Sequence, residues 1–283
     1  MFKSSVDKFY KGYIFDLDGT IYYGSKLLPG ARELIPYLRA RGSRVLFLSN
    51  NPSHTRRSYA EKLTRMGIET TPKEVMSSGD ILAKYLRENH PRCRVYVLGE
   101  TALLDTLRES GLEVLLQPSA DEKVDFVVAS MDLSFDFAKL SLGMRLLMNG
   151  SELIATHGDP ACPWDGGFVP DAGAIAAALS VSARKPVALI AGKPTALACA
   201  MALDELGCTP AEVLVVGDRM GTDIQLGADH GMDTALVLTG GDSLEDLVNY
   251  SFRPTYILEN LWAVLPNEEA RRQAQGIGDL INA

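Results

Sequence analysis

The sequence predicts an α/β protein with mainly parallel sheets covered by helices on both faces. Short apolar runs alternate with segments of helical periodicity through nearly all of the 283 residues. Connections of this length are right-handed crossovers that join parallel strands. The chain is long enough for one large domain or two ordinary ones, and its 46% hydrophobic and 23% charged residues are typical of a soluble globular protein.

Each element is predicted from its periodicity and from the residues at its ends. An apolar run over residues 13–15 predicts a buried strand, and Leu34, Ile35 and Leu38 share one face of a helix over 30–41, which Pro36 should bend or shorten. Thr55 is the expected N-cap of the helix that Gly67 ends. Further strands are predicted over 45–48, 75–78, 94–98, 113–116, 124–129, 153–156, 187–191, 213–216, 234–238 and 255–258. Further helices are predicted over 55–66, 81–88, 101–110, 135–149, 172–183, 195–206, 223–230 and near 244–250.

Composition and charge exclude several classes of function. A formal net charge of −8 argues against nucleic acid or an anionic membrane as the main partner. No stretch has the length of a membrane span, and residues 1–12 lack the apolar core of a signal peptide. The cysteines and histidines are dispersed without metal-type spacing, which indicates reduced thiols and a cytoplasmic protein: Cys93, Cys162, Cys199, Cys208, His54, His90, His157 and His230.

Polar residues follow four of the predicted strands at their carboxyl ends. They are Asp16 and Asp18, then Ser49 with Asn50 and Asn51, then Gly192 and Lys193, and finally Gly217, Asp218 and Asp223. Each group alone is better explained as a turn or a helix start than as part of a functional site. Ligands in parallel α/β folds collect at this edge of the sheet. Four groups with complementary chemistry therefore favour a functional site.

The chemistry of these residues fits phosphoryl transfer. Asp16 and Asp18 are two residues apart in an extended segment, so their side chains face one pocket, and a divalent cation would relieve their repulsion. One carboxylate can attack phosphorus, and the other can move a proton. A serine, backbone N–H groups and a lysine can hold the phosphoryl oxygens, while Mg²⁺ suits a carboxylate site.

The four groups resemble, in order, the four motifs of haloacid dehalogenase-like phosphatases. They are Asp16-Leu17-Asp18-Gly19-Thr20, Ser49-Asn50, Lys193, and the run from Gly217 to Asp223. The resemblance implies that Asp16 is the nucleophile, that Asp18 is the general acid/base, and that Ser49 and Lys193 bind the phosphoryl group. It implies a Mg²⁺ site of Asp16, the Asp18 carbonyl and Asp218, with Asp223 in the next layer. Gly19, Asn50 and Asn51 are further candidate substrate-binding residues.

Motif spacing then predicts where a second domain is inserted. Positions 16 and 49 are 33 residues apart, whereas 49 and 193 are 144 apart, which is enough for a whole α/β domain. The predicted fold is a Rossmann-like parallel-sheet core, residues 1–78 and 187–283, with an inserted smaller α/β cap domain, residues 79–186. This arrangement resembles the type-2-capped, NagD-like branch, which includes 4-nitrophenyl phosphatases and sugar, phosphoglycolate and pyridoxal phosphatases.

The predicted cap contains a loop that resembles the cap signature of this branch. The runs 155–160 and 170–173 carry the resemblance, and residues 157–170 are expected to lie over the active site and select the leaving group. His157, Trp164, Asp165 and Asp171 are the candidate contacts.

The leading hypothesis is a Mg²⁺-dependent phosphomonoesterase acting on a small phosphorylated metabolite, such as a sugar phosphate. Pyridoxal phosphate, phosphoglycolate and nucleotides are alternative substrates. A carbon–halogen hydrolase of this fold would lack Asp18, and a phosphomutase would carry a different cap. A binding protein without catalytic activity would not need the intact set of Asp16, Asp18, Lys193 and Asp218. The resemblance also implies a homodimer formed through the cap.

Overall fold

The computed structural model describes residues 3–164 and 166–281 of the chain, so the predicted contact of Asp165 lies outside the described residues. The fold is α/β with parallel sheets, which confirms the predicted class. It divides into two compact units. The first comprises Met1–Ser49, Arg56–Met76 and Ala198–Ala283, and the second comprises Asn50–Thr55 and Ser77–Leu197.

The described strands and helices are numbered here in chain order. The strands are β1 (Gly12–Phe15), β2 (Tyr22–Tyr23), β3 (Lys26–Leu27), β4 (Arg44–Ser49), β5 (Val75–Ser77), β6 (Arg94–Leu98), β7 (Glu113–Leu115), β8 (Phe126–Ala129), β9 (Glu152–Ala155), β10 (Ala161–Trp164), β11 (Gly167–Pro170), β12 (Val187–Ile190), β13 (Val213–Gly217), β14 (Asp233–Val237) and β15 (Tyr256–Leu258). The α-helices are α1 (Ala31–Ala40), α2 (Arg56–Arg65), α3 (Ser78–Asn89), α4 (Thr101–Glu109), α5 (Phe137–Met148), α6 (Ala172–Ala183), α7 (Ala196–Leu206), α8 (Gln225–His230) and α9 (Glu268–Ile281).

The first unit is built on a six-stranded sheet in the order β15-β14-β13-β1-β4-β5. Strand β1 lies inside the sheet and pairs in parallel with β4 and β13. All four of its residues are buried, and the rings of Tyr13 and Phe15 stack with their centroids 5.9 Å apart. A strand that is covered on both sides needs apolar residues on both of its faces. This packing holds β1 in place and so fixes the position of the residues that follow it.

The second unit is built on a five-stranded parallel sheet in the order β12-β9-β8-β6-β7. Strand β12 belongs to this sheet, where it pairs with β9 at an edge. The expectation that four strands of one sheet deliver the candidate residues is therefore wrong for the strand that precedes Lys193. This unit also extends through Leu197, beyond the predicted end of the insert at residue 186.

Several other predicted elements differ from those observed. The expected loop over 157–170 contains an antiparallel hairpin, β10 with β11. The helix predicted over 223–230 begins only at Gln225, after a π-helical turn, Met220–Ile224. The helix predicted near 244–250 is the short 3₁₀ helix Asp246–Asn249. Helix α1 runs through Pro36. No helix in the described part of the chain is long and apolar enough to cross a membrane.

Candidate active site

Three acidic side chains of the first unit converge at the ends of β1 and β13. Asp16 follows β1, and its backbone N–H donates to the Val216 carbonyl of β13 at 2.9 Å. One carboxylate oxygen from each of Asp16, Asp218 and Asp223 lies within 4.8 Å of the other two. Asp218 and Asp223 are 3% and 1% exposed. Burying like charges this close is unfavourable unless a cation compensates for them.

This arrangement fits a hard divalent cation such as Mg²⁺. Magnesium prefers oxygen ligands and is usually held by a few carboxylates together with water and substrate. Asp16, Asp218 and Asp223 supply oxygens of this kind, and the predicted Asp18 carbonyl would be another. Asp223 was predicted to lie behind the residues that bind the metal directly. In the structure its carboxylate belongs to the same cluster as those of Asp16 and Asp218.

The Asp218 carboxylate is held by a loop that follows β14. The Gly241 N–H donates to its Oδ2 at 2.6 Å, and the Thr20 hydroxyl lies 3.5 Å from its Oδ1. A Cβ on Gly240 would come within 2.1 Å of Oδ2, and one on Gly19 within 2.3 Å. Two glycines are therefore needed for the backbone to pass this close to the carboxylate.

The same loop also fixes the backbone on either side of the site. The Thr239 hydroxyl donates to the Gly19 carbonyl at 2.6 Å. The Asp242 carboxylate accepts from the Met220 N–H at 2.5 Å, at the start of the π-helical turn. Residues 239–242 are a part of the site that sequence reasoning missed. The missed signal is a Thr-Gly-Gly-Asp run directly after a predicted strand, the same kind of pattern that identified the other groups.

Asp223 is fixed by the turn that carries it. Its Oδ2 accepts from the Arg219 N–H at 3.2 Å. A Cβ on Gly217 would lie 2.2 Å from the Asp223 Cγ, so only glycine fits at the end of β13. The π-helical turn Met220–Ile224 directs Asp223 back towards Asp218. Turns of this type frequently occur at functional sites.

Asp18 is exposed and lies beside a buried tyrosine that sequence reasoning also missed. The Tyr22 hydroxyl is 3.4 Å from Asp18 Oδ2, and Tyr22 is fully buried. Burial, together with the charge of Asp18, raises the pKa of the Tyr22 hydroxyl above its ordinary value, so the group stays a donor. The Lys62 ammonium lies 3.7 Å from the centroid of the Tyr22 ring. Burial lowers the pKa of Lys62, and the charge of Asp18 opposes that shift.

The other candidates of the first unit are Ser49 and Gly19. Ser49 is the last residue of β4 and is 4% exposed. Because Phe15 pairs with Phe47, Ser49 lies one residue beyond the level of Asp16 on the neighbouring strand. Gly19 adopts a φ of +85° and donates its N–H to the Tyr22 carbonyl at 2.8 Å. The structure thus gives Gly19 a role in the turn beside Asp218, and its substrate contact stays a prediction.

In the second unit, Lys193 is joined to Asn50 through its main chain. The Asn50 Oδ1 accepts from the Lys193 N–H at 2.8 Å, and the Asn50 Nδ2 donates to the Lys193 carbonyl at 3.2 Å. The same Nδ2 donates to Asp159 at 2.9 Å. Lys193 itself is 3% exposed. The Asn50 amide therefore holds the Lys193 backbone, and Asn51 caps its own turn by accepting from the Ser53 N–H at 2.9 Å.

The cap candidates of the second unit lie in two different environments. His157 is 1% exposed and its Nε2 is 3.0 Å from an Asp171 carboxylate oxygen. Asp171 is also the N-cap of α6, where it accepts from the Ala172 N–H at 2.7 Å. Trp164, at the end of β10, is 47% exposed. The structure thus joins His157 to Asp171 inside the unit and leaves Trp164 accessible, and the substrate contacts of all three stay predictions.

Comparison with known proteins identifies the family. A model described as haloacid dehalogenase-like hydrolase matches residues 13–113, and one described as HAD-hydrolase-like matches residues 190–264. An acid sugar phosphatase from Staphylococcus aureus (strain MRSA252) is 39% identical over 254 residues, which cover 90% of this chain and 96% of that protein. The chain belongs to the haloacid dehalogenase-like hydrolase family.

Solved structures agree with this membership of the haloacid dehalogenase-like family. A 4-nitrophenylphosphatase from Thermotoga maritima superposes with a TM-score of 0.83 and 35% identity, over 89% of this chain and 95% of that one. NagD from E. coli K-12 gives a TM-score of 0.79 and 30% identity, over 89% of this chain and 97% of that one. The predicted NagD-like branch and the enzyme class, a phosphatase, are confirmed.

Proposed function

We propose that the chain is a Mg²⁺-dependent phosphomonoesterase that acts on a small phosphorylated metabolite, a sugar phosphate or a similar ester, through an aspartyl-phosphate on Asp16. The observation that carries the proposal is the convergence of Asp16, Asp218 and Asp223, with Asp18 two residues from the nucleophile. The names of the relatives, an acid sugar phosphatase and a 4-nitrophenylphosphatase, support the substrate class.

The proposed reaction has two steps. In the first, the Asp16 carboxylate attacks phosphorus, the bond from phosphorus to the ester oxygen breaks, and Asp18 gives that oxygen a proton. In the second, Asp18 takes a proton from a water molecule that attacks the aspartyl-phosphate, which releases phosphate and restores Asp16. The exposure of Asp18 is consistent with exchange of alcohol and water at its carboxyl group.

The remaining roles are proposed from the motifs. Mg²⁺ bound by Asp16, the Asp18 carbonyl and Asp218, with Asp223 beside them, would offset the negative charge of the phosphoryl oxygens. Ser49 and Lys193 would hold those oxygens. The two hydrogen bonds between Asn50 and the Lys193 main chain support a positioning role for Asn50.

Hydrolysis of 4-nitrophenyl phosphate tests the mechanism. The purified protein is expected to release 4-nitrophenolate with added Mg²⁺ and to lose this activity in excess EDTA. Asp16→Asn should abolish turnover and leave the thermal unfolding curve in place, whereas Asp105→Asn, at a half-exposed carboxylate of α4, should have no effect. Full activity in EDTA or in Asp16→Asn would contradict the proposal.

The natural substrate requires a panel of sugar phosphates, phosphoglycolate, pyridoxal phosphate and nucleotides. Trp164, half-exposed on the β10–β11 hairpin, is the proposed selecting residue, so Trp164→Ala should change the order of preference within this panel. An unchanged order would count against a selecting role for Trp164. We further propose a cytoplasmic location, since the four cysteines are dispersed along the sequence without paired spacing. The homodimer stays a prediction.

A further inference from the structure

The hairpin that follows the first motif turns one tyrosine inward and its neighbour outward. Tyr22 and Tyr23 are consecutive in β2, which pairs with β3. Tyr22 is fully buried, whereas Tyr23 is 67% exposed. The turn that leads into β2 is fixed by the bond from the Gly19 N–H to the Tyr22 carbonyl at 2.8 Å and by the one from the Tyr22 N–H to the Leu17 carbonyl at 3.2 Å.

This turn brings the Tyr22 hydroxyl to the carboxylate of Asp18. The hydroxyl donates to Oδ2 over 3.4 Å, which is longer than the ~2.7 Å of a strong O–H···O bond. Catalytic hydrogen bonds are often long before substrate binds, and they shorten in the complex. A donor on Oδ2 leaves Oδ1 as the oxygen that carries the transferable proton.

Lys62, on α2, holds the ring that carries this hydroxyl. Its ammonium lies 3.7 Å from the centroid of the Tyr22 ring, on the face where the ring attracts cations. A cation in this position restricts the ring plane. It also draws electron density from the phenol, which makes the hydroxyl a stronger hydrogen-bond donor.

We propose that Tyr22, with the Lys62 ammonium over its ring, is a positioning residue for Asp18. The Tyr22 O–H holds Oδ2 and so directs Oδ1 to the ester oxygen that must be protonated. The inference rests on the general acid role given to Asp18 under the proposed function, and it adds the residues that aim this acid.

The importance of Tyr22 depends on the class of substrate. A sugar alkoxide is a poor leaving group and needs a proton as the phosphorus–oxygen bond breaks. In contrast, 4-nitrophenolate is stable enough to leave without one. Positioning of Asp18 therefore matters for alkyl phosphates such as sugar phosphates and much less for 4-nitrophenyl phosphate.

The test compares kcat/KM for two esters, the best alkyl phosphate of the panel and 4-nitrophenyl phosphate. This parameter reports the steps up to loss of the alcohol, so the later hydrolysis of the aspartyl-phosphate does not affect it. Tyr22→Phe should lower kcat/KM about 10-fold for the alkyl ester and about 2-fold for the aryl ester. Tyr23→Phe, the matched control, should leave the ratio of the two values unchanged.

Substitution of Lys62 provides a second, independent test of the role of Tyr22. Lys62→Met keeps the aliphatic chain and removes the charge, so it should lower the alkyl-to-aryl ratio of kcat/KM by about 3-fold. Lys62→Arg keeps a cation over the ring and should restore the ratio. A folded Tyr22→Phe or Lys62→Met protein with the wild-type ratio would overturn the inference.

The same experiments distinguish failure of this inference from failure of the proposed function. If the wild-type protein cleaves neither ester, or if Asp16→Asn remains active, the proposed function itself fails. If the wild-type protein cleaves 4-nitrophenyl phosphate but no alkyl phosphate, the inference about Tyr22 fails, and the phosphatase mechanism on Asp16 stands.

Discussion

Replacing Gly240 with alanine tests whether Asp218 must remain where its loop holds it. Gly240 is outside the left-handed region, so the change adds a methyl group without backbone strain. The new Cβ would lie 2.1 Å from Asp218 Oδ2 and 2.7 Å from its Cγ. A carbon–oxygen contact requires about 3.3 Å, so the carboxylate must move by about 1 Å. That movement also weakens the 2.6 Å bond from the Gly241 N–H.

A displacement of this size has a calculable effect. Disturbing the support of a metal ligand typically costs about 10- to 100-fold in metal affinity. A misplacement of about 1 Å in a catalytic group costs about 100-fold in rate, which corresponds to about 2.7 kcal/mol of transition-state stabilisation. Gly240→Ala should therefore bind Mg²⁺ more weakly and also have a lower kcat/KM at saturating Mg²⁺.

Two measurements and one control decide the outcome. Calorimetric titration with Mg²⁺ gives the affinity without turnover, and hydrolysis of 4-nitrophenyl phosphate gives kcat/KM. Gly276→Ala is the control, because a Cβ there would have no neighbour within 4 Å. If Gly240→Ala folds and keeps wild-type values of both quantities, Asp218 is not the ligand that the geometry indicates.

Two further predictions concern positioning and stability. Asn50→Ala removes both hydrogen bonds to the Lys193 main chain and should lower kcat/KM about 10-fold or more. The control, Asn89→Ala on the surface of α3, should leave kcat/KM unchanged. Equal activity of the two variants would exclude a positioning role for Asn50. Glu212 accepts from the Thr209 N–H, which with other bonds lowers its pKa from 4.5 to about 2. The ionised form therefore stabilises the fold above about pH 4.5, and this stability is lost as the pH falls towards 2. In urea unfolding, the Glu212→Gln protein should be less stable than the wild type at pH 7, and its stability should fall less between about pH 4.5 and pH 2. An equal loss of stability in both proteins over this pH range would contradict the reasoning.

The strands that carry the acidic cluster were predictable because their signal is local. β1 and β13 are short apolar runs, and Asp16 and Asp218 follow them directly. Once such strands pair in parallel and in register, the residues after them must meet at one edge. The positions of Asp16 and Asp218 directly after these strands therefore carried most of the information about the acidic cluster.

The sheet to which a strand belongs was not predictable in the same way. Val187–Ile190 is as apolar as the strands of the first unit, but it pairs with β9 in the other sheet. An apolar run indicates burial and does not identify the neighbouring strand. The hairpin over residues 161–170 was missed for a related reason, because Pro163, Gly166 and Gly167 are typical of a loop.

Contacts between segments that are distant in the sequence could not be predicted either. The bond from Gly241 to Asp218 joins residues 23 positions apart, and nothing in either segment alone predicts it. The Lys62–Tyr22 contact likewise depends on how α2 packs on the hairpin. Periodicity places each residue on an element, whereas tertiary packing decides which side chains meet.

Trapping the covalent intermediate tests the central claim most directly. Asp18→Asn should still be phosphorylated by 4-nitrophenyl phosphate, whose leaving group needs no proton, but should be unable to activate the water that hydrolyses the aspartyl-phosphate. Rapid acid quenching and peptide mass spectrometry should then find one phosphoryl group on Asp16, together with a burst of 4-nitrophenolate equal to the enzyme concentration. Turnover by the wild-type protein combined with no phosphoryl group on Asp16, or with one on another residue, would contradict the account.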